Sequence, residues 1–421
     1  MNREVLRQVI IDQHPYRRPK TFFDRYQVHT LKEYIDDPNI LIISGIRRSG
    51  KSTIQRTIQQ DLPESDYYLN FDDERLIQFT VESFQTLLEV FIELFGKQSI
   101  FYFDEIQNIP GWERFARRLY EQGNKVFITG SNANLLSREL STHLTGRYIQ
   151  FEVYPFSFKE IVQHEYPQLS SADTLSTTEK GLLAQLFSTY MTFGGIPEYY
   201  KRQKAEYLKN LYEGILYKDI VARYNITHKR PLRELIYYFS SNIGKEFSFT
   251  KLSETVGLSS PHTVSNYCSY MEMSYLCFFI NRYSHSLKKQ LQYNKKCYMI
   301  DPALIRLIGF RVSSDRGRIL ENIVFLHLKM HGYEIFFHKE KKECDFIVRK
   351  NNQITQAIQV TTDLTSEHVQ KRELDGLIEA LSSYNLDRGI LLTENEQKTL
   401  TVGSYVVEVI PIWKWLLDST I

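Results

Sequence analysis

Short apolar runs recur between residues 41 and 158, with a helix-length stretch between each and the next. They are Leu41-Ile42-Ile43, Tyr67-Tyr68-Leu69, Ile100-Phe101-Tyr102-Phe103 and Val126-Phe127-Ile128. Apolar runs of this kind, joined by helices, predict a parallel sheet covered on both faces. Residues 161–244 read as largely helical, over 182–190, 206–224 and 231–239, with a break at Gly194-Gly195-Ile196-Pro197. Residues 245–300 read as a small helix–turn–helix followed by a hairpin. From 316 the alternation returns. A helix is expected near 318–330, strands near 333–337, 344–348 and 357–360, a helix over 366–382 and a strand over 389–392, which together make a second, separate α/β unit.

Composition narrows the class. The chain has 421 residues, 42% hydrophobic and 24% charged, which is ordinary for a globular protein and excludes wholesale disorder. That length suggests two or three domains. No apolar run approaches the roughly 18 residues of a membrane span. The start, Met1-Asn2-Arg3-Glu4, leads into mixed polar sequence rather than a signal core. The four cysteines, Cys268, Cys277, Cys297 and Cys344, form no CxxC pair. That is neither a disulfide framework nor a zinc pattern, and it fits a reducing cytoplasm. The 28 Tyr and 26 Phe are scattered, as packing residues are. The net charge of +2 carries no bulk nucleic-acid signature.

The sharpest chemical signal is Gly45-Ile46-Arg47-Arg48-Ser49-Gly50-Lys51-Ser52, a full G-x-x-x-x-G-K-S. Its glycines let backbone N–H groups wrap a phosphate, and the helix that follows from Thr53 offers its positive end. Lys51 is placed to reach the β- and γ-phosphates, and Ser52 to ligate Mg²⁺. The partner acid is expected at the end of another apolar strand. Phe103-Asp104-Glu105 supplies it, with Asp104 for Mg²⁺ and Glu105 to polarise an attacking water. A third strand ends in Thr129-Gly130-Ser131-Asn132, where Ser131 and Asn132 are equally eligible to contact the γ-phosphate or position water. Arg147, beyond the next helix, is a candidate arginine finger, in cis or in trans, or an ordinary surface residue. Arg47 and Arg48 add charge to the loop without a fixed role.

These stretches, with Asn70-Phe71-Asp72-Asp73-Glu74, Gly111-Trp112-Glu113, Tyr154-Pro155-Phe156-Ser157-Phe158 and Gly194-Gly195-Ile196-Pro197-Glu198, carry a family resemblance. The chain resembles the AAA-type ATPases of archaea and bacteria in which the ATPase is followed by a domain of unknown function. The resemblance implies an additional-strand P-loop core of sheet order 5-1-4-3-2, a sensor at Ser131 or Asn132, and ATP rather than GTP. It names no substrate.

Two further segments bear on partners. Thr250 to Ser259 reads as a helix ending at a glycine turn, and Ser260-Pro261-His262 opens a second helix. This is the rhythm of a winged helix–turn–helix, with 282–296 as a basic wing. Residues 245–300 hold seven Lys/Arg against three Glu, which makes DNA a candidate partner, although the second helix has no Lys or Arg. A protein partner or self-association fits such a module equally. In the tail, Glu321, Asp345 and Gln359-Val360-Thr361 follow the spacing of a restriction-endonuclease-like fold. Gln359 and Thr361 stand where its Mg²⁺ ligand and catalytic Lys belong.

The expectation is therefore an α/β protein of three parts. They are a P-loop core with an amino-terminal extension over 1–160, a helical lid and winged helix over 161–300, and a restriction-endonuclease-like α/β domain over 301–421. The expected activity is Mg²⁺-dependent ATP hydrolysis that switches the carboxyl-terminal modules. ATP-gated DNA binding and a nuclease are the alternatives.

Overall fold

The computed structural model describes residues 1–14, 23–131, 144–169, 175–310 and 316–418. Two compact units emerge. One is Met1–Tyr154 with Met273–Tyr275, and the other is Pro155–Glu272 with Leu276–Ile421.

The first unit is built on a five-stranded sheet of β1 (Ile40–Gly45), β2 (Tyr68–Asn70), β3 (Ile100–Asp104), β4 (Lys125–Gly130) and β5 (Tyr148–Val153). Their order is β2-β3-β4-β1-β5 and every pairing is parallel. Read from the other edge this is 5-1-4-3-2, the order expected. All six residues of β1 are buried. The strand period of two sends Ile40 and Ile42 into one apolar cluster and Leu41 and Ile43 into another. Helices α1 (Arg3–Gln13), α4 (Ser83–Phe95) and α5 (Trp112–Glu121) contribute to the first cluster. Helices α2 (Tyr26–Lys32) and α3 (Lys51–Asp61) contribute to the second. Because both faces are covered, the strands read as unbroken apolar runs. Parallel pairing also sets the carboxyl ends of β1, β3 and β4 on one rim, where open α/β sheets place ligands.

The second unit begins with helices α6 (Phe158–Glu165), α7 (Thr177–Phe193), α8 (Pro197–Arg202) and α9 (Ala205–Gly214), a π-helix over Ile215–Ala222, and α10 (Lys229–Ser241). Then come β6 (Glu246–Phe247), α11 (Phe249–Thr255), α12 (Pro261–Met273), β7 (Cys277–Arg282), α13 (Leu287–Gln292), β8 (Lys295–Met299), α14 (Pro302–Ile308) and α15 (Arg316–Met330). Strands β9 (Glu334–Lys339), β10 (Glu343–Lys350) and β11 (Gln353–Val360) precede α16 (Glu367–Tyr384). Strands β12 (Arg388–Thr393), β13 (Lys398–Val402) and β14 (Tyr405–Pro411) precede α17 (Ile412–Trp415).

The nine strands of this unit form one mixed sheet, ordered β13-β14-β12-β11-β10-β9-β7-β8-β6. The sheet runs across residue 300, because β7 pairs in parallel with β9 through Asn281 and Phe336. The 282–296 segment therefore differs from the free basic wing expected of it. It is interrupted by α13, and its last strand is internal to a sheet, so Lys296 is only 1% exposed. The Gly194-Gly195 break is a close approach. Gly194 has φ +63°, and a Cβ there would lie 1.9 Å from a carboxylate oxygen of Asp301. Asp301 in turn accepts from the Gly195 N–H at 2.7 Å. The four cysteines are free and buried. Among the described residues no helix is long and apolar enough to cross a membrane.

Candidate functional site

The site lies on the rim where β1, β3 and β4 end. Gly45 closes β1 at φ +151°, and a Cβ there would meet the Val153 carbonyl oxygen at 2.2 Å, so β5 runs too close for any side chain. Gly50 caps α3 in the left-handed region at φ +99°. The loop from Gly45 to Gly50 thereby delivers Lys51 and Ser52 at the first turn of α3, whose N–H groups face the loop. Two bonds from the Gln55 amide, to the Phe103 carbonyl at 3.2 Å and the Phe127 carbonyl at 3.1 Å, pin α3 over β3 and β4.

Around this frame the polar groups converge. The Ser52 hydroxyl donates to Asp104 Oδ1 at 3.0 Å. Asp104 is buried and also bonds the hydroxyls of Thr129 and Tyr68, the latter at 3.0 Å. Burial, with the Asp104 charge next, pushes the Tyr68 phenol far up, so it remains a donor. The Arg56 guanidinium covers the Tyr68 ring at 3.1 Å from its centroid. Lys51 is 4% exposed, and its ammonium donates to the Ile46 carbonyl at 3.1 Å and stands 3.9 Å from Glu105.

Glu105 follows β3 in the left-handed region, at φ +54°. Its N–H donates to Thr129 Oγ1 at 3.1 Å, and its carboxylate accepts from the Gln107 amide. Burial raises its proton affinity, Lys51 opposes this and Asp104 adds to it. The balance sets its pKa above the usual carboxylate value. A carboxylate with raised proton affinity is a stronger base than an ordinary one. Two buried hydroxyls, Ser49 Oγ in the loop and Ser131 Oγ after β4, have no hydrogen-bond partner among the described residues. Buried polar groups are ordinarily paired, so these two are available to a ligand.

The rim thus brings Lys51, Ser52, Asp104 and Glu105 together, with Ser131 beside the end of β4. Within the loop Ile46 and Ser49 are buried, Arg47 is half-buried, and Arg48 is exposed at φ +65°. Thr53 is half-buried on α3. Asn132 lies outside the described residues. Arg147 is not brought to the loop. It precedes β5, and its carbonyl accepts from the Ile40 N–H at the amino end of β1. A six-residue strand, roughly 20 Å, separates it from Gly45. Its guanidinium instead faces the Thr145 carbonyl at 3.3 Å and Glu121 at 4.0 Å.

Sequence reasoning missed Tyr68, Thr129, Gln107 and Arg25. Arg25 is buried and donates to the Ser49 carbonyl at 3.0 Å and the Tyr154 carbonyl at 2.6 Å, tying the loop to the end of β5. Thr129 was within reach, as the polar residue at the end of an apolar strand. Arg25 carried no local signal.

The rim lies within a stretch that matches a known family. Residues 37–162 match the family described as AAA domain, while 184–314 and 316–415 match two domains of unknown function, DUF8612 and DUF4143. The chain is 33% identical over 401 residues to the uncharacterized protein MJ1544 of Methanocaldococcus jannaschii, covering 90% of this chain and 89% of that protein. It is 31% identical over 404 residues to an uncharacterized protein of Haemophilus influenzae, covering 92% and 96% respectively. Among solved structures it is similar to the Walker-type ATPase PABY2304 of Pyrococcus abyssi. That match has a TM-score of 0.45 at 17% identity and covers 71% of this chain and 99% of that one.

Proposed function

Because the chain belongs to the same family as MJ1544 and carries an AAA domain ahead of two domains of unknown function, we propose that it binds ATP with Mg²⁺ and hydrolyses it, and that turnover switches the carboxyl-terminal modules. The observation that carries this reading is the 3.0 Å contact of Ser52 with Asp104, with Lys51 and Glu105 beside it on one rim. The loop N–H groups and α3 hold the phosphates. Lys51 exchanges the Ile46 carbonyl for phosphate oxygens, and Ser49 and Ser131 find partners on the nucleotide. Ser52 and Asp104 fit Mg²⁺, one hydroxyl and one carboxylate already in register. When bound, Mg²⁺ offsets charge on the β- and γ-phosphates. Glu105 takes the proton of the attacking water, and Gln107 aims its carboxylate. Arg25 fixes the loop.

Nucleotide binding by two variants tests the reading. Lys51→Ala loses ATP affinity, whereas Glu105→Gln keeps ATP bound and turns over about 10²-fold more slowly or worse. Unchanged ATP affinity in Lys51→Ala would overturn the site, and unchanged turnover in Glu105→Gln would remove Glu105 from the mechanism.

A second reading, nucleotide-gated DNA binding, is favoured by one arrangement. The order α10-β6-α11-α12-β7-β8, with β6 and β7 both antiparallel to β8, supports a winged helix. Its exposed cations include Lys288 and Lys289 on α13 and Lys251 on α11. For the tail, the mixed sheet with α15 and α16 supports a restriction-endonuclease-like domain that has lost its cleavage chemistry.

A further inference from the structure

Lys296 belongs to the segment expected as a basic wing, and the sheet turns it inward. Its ammonium stands 2.8 Å from Glu343, 3.4 Å from Glu321 and 3.4 Å from Asp345. The three carboxylates come from separate places: Glu321 from the middle of α15, and Glu343 and Asp345 from alternate positions of β10. The surroundings fix them. Tyr298, two residues along β8, donates to Glu321 at 2.6 Å, and the Val360 N–H donates to Asp345 at 3.1 Å. Gly244, at φ +69°, brings the backbone so close that a Cβ would sit 2.5 Å from the Glu321 carboxylate. Lys339 reaches Glu343 from the rim at 3.2 Å.

Three carboxylates sharing one centre, Asp345 buried and Glu321 and Glu343 half-buried, are tolerated only with a cation between them. The cation here is covalently attached to the chain. An ammonium keeps these oxygens at 2.8 to 3.4 Å, whereas Mg²⁺ or Mn²⁺ would draw oxygens to about 2.0–2.2 Å. As they stand, no three Asp, Glu, His or Cys side chains among the described residues are set to hold a metal ion. Gln359 does not complete a metal-ligand set. Its amide accepts from the Asp345 N–H at 3.1 Å and donates to Glu373 on α16 at 2.5 Å.

We propose that the Lys296 ammonium occupies the place of a divalent cation among Glu321, Glu343 and Asp345, closing the tail to divalent metals. The same three carboxylates take up a divalent cation once the ammonium is removed. The tail is then a metal site held shut by its own chain and is inert in metal-dependent phosphodiester cleavage. This inference stands apart from the ATPase reading, because none of its residues belongs to the phosphate-loop rim.

Calorimetric titration of the nucleotide-free full-length protein with Mn²⁺ tests it. Lys296→Ala makes room for a metal, and Lys296→Gln removes the charge while keeping a donor. The wild type and Asp345→Asn should titrate alike. Lys296→Ala should gain one Mn²⁺ site with a dissociation constant on the order of 10⁻⁴ M, and Lys296→Ala/Asp345→Asn should lose it. The melting temperature of Lys296→Ala should fall and recover with Mn²⁺. Folded Lys296→Ala and Lys296→Gln proteins without a new site would overturn the proposal. So would Asp345-dependent Mn²⁺ binding by the wild type, since the lysine would then be moving aside. Failure of both variants to fold, with or without Mn²⁺, would also overturn it, because a metal could not then replace the ammonium.

Discussion

Glu105 shows how a single residue is tuned by position. The strand end places it, half-buried and in a left-handed conformation, beside Lys51 and Asp104, and desolvation lifts its pKa. As the base of the proposed mechanism it works only when ionised, so turnover should fall on acidification through a pKa above the usual ~4.3 of glutamate. A kcat–pH profile with its acid limb at the ordinary carboxylate value would count against that role. The same shift has a stability sign. A raised pKa means its contribution is fully present below the unfolded-state pKa and is lost as pH rises through the folded value. Glu105→Gln should therefore gain stability over wild type at neutral pH and lose that advantage near pH 4. Tyr68 acts through Asp104. Tyr68→Phe removes one of the hydroxyl donors to that carboxylate and should raise the Mg²⁺ concentration for half-maximal turnover about tenfold, with kcat at saturating Mg²⁺ less affected. An unchanged Mg²⁺ dependence would show that the phenol only packs.

Among elements, the loops that meet carboxylates or carbonyls are the least tolerant. Gly194 ends α7 at φ +63°, directly against Asp301, and a Cβ on Gly195 would lie 2.0 Å from the Phe156 carbonyl oxygen. Asp301 in turn caps α14 through the Ala303 N–H at 2.8 Å. Gly194→Ala should cost roughly 2–4 kcal/mol, from left-handed strain and the displaced cap together. A urea melt indistinguishable from wild type would show that the loop relaxes instead. The Gly-Gly-Ile-Pro break was plain in the sequence, because glycine followed by proline ends helices by local chemistry. Its purpose was not, because the carboxylate it accommodates lies more than a hundred residues away.

For the whole molecule, the net charge of +2 is a sum of unlike parts. Residues 41–160 hold 13 Lys/Arg against 16 Asp/Glu, and 301–421 hold 15 against 17, while 245–300 is basic. Burial changes that last count, since Lys296 is enclosed by acids and Lys288 and Lys289 remain exposed. If DNA is bound there, a Lys288→Ala/Lys289→Ala variant should weaken it and flatten the salt dependence by about two ions. Salt-independent binding, or an unaltered slope, would dismiss that surface.

The amino-acid sequence by itself determined the alternation of strands and helices in the first unit through β4, the phosphate loop and the Asp104-Glu105 pair. Each is written in contiguous residues: apolar runs that need two covered faces, glycines that need unusual backbone angles, and an acid closing a strand. Only the tertiary structure decided that Arg25 grips the Ser49 carbonyl, that Tyr68 and Thr129 hold Asp104, and that Arg147 stands at the far end of β5 from the loop. It alone turned Lys296 from an apparent surface charge into the centre of an acidic cluster. The physical reason is common to all of them. A side chain's partners come from strands and helices distant in the chain, and which strand lies beside which is fixed by sheet pairing, not by local composition.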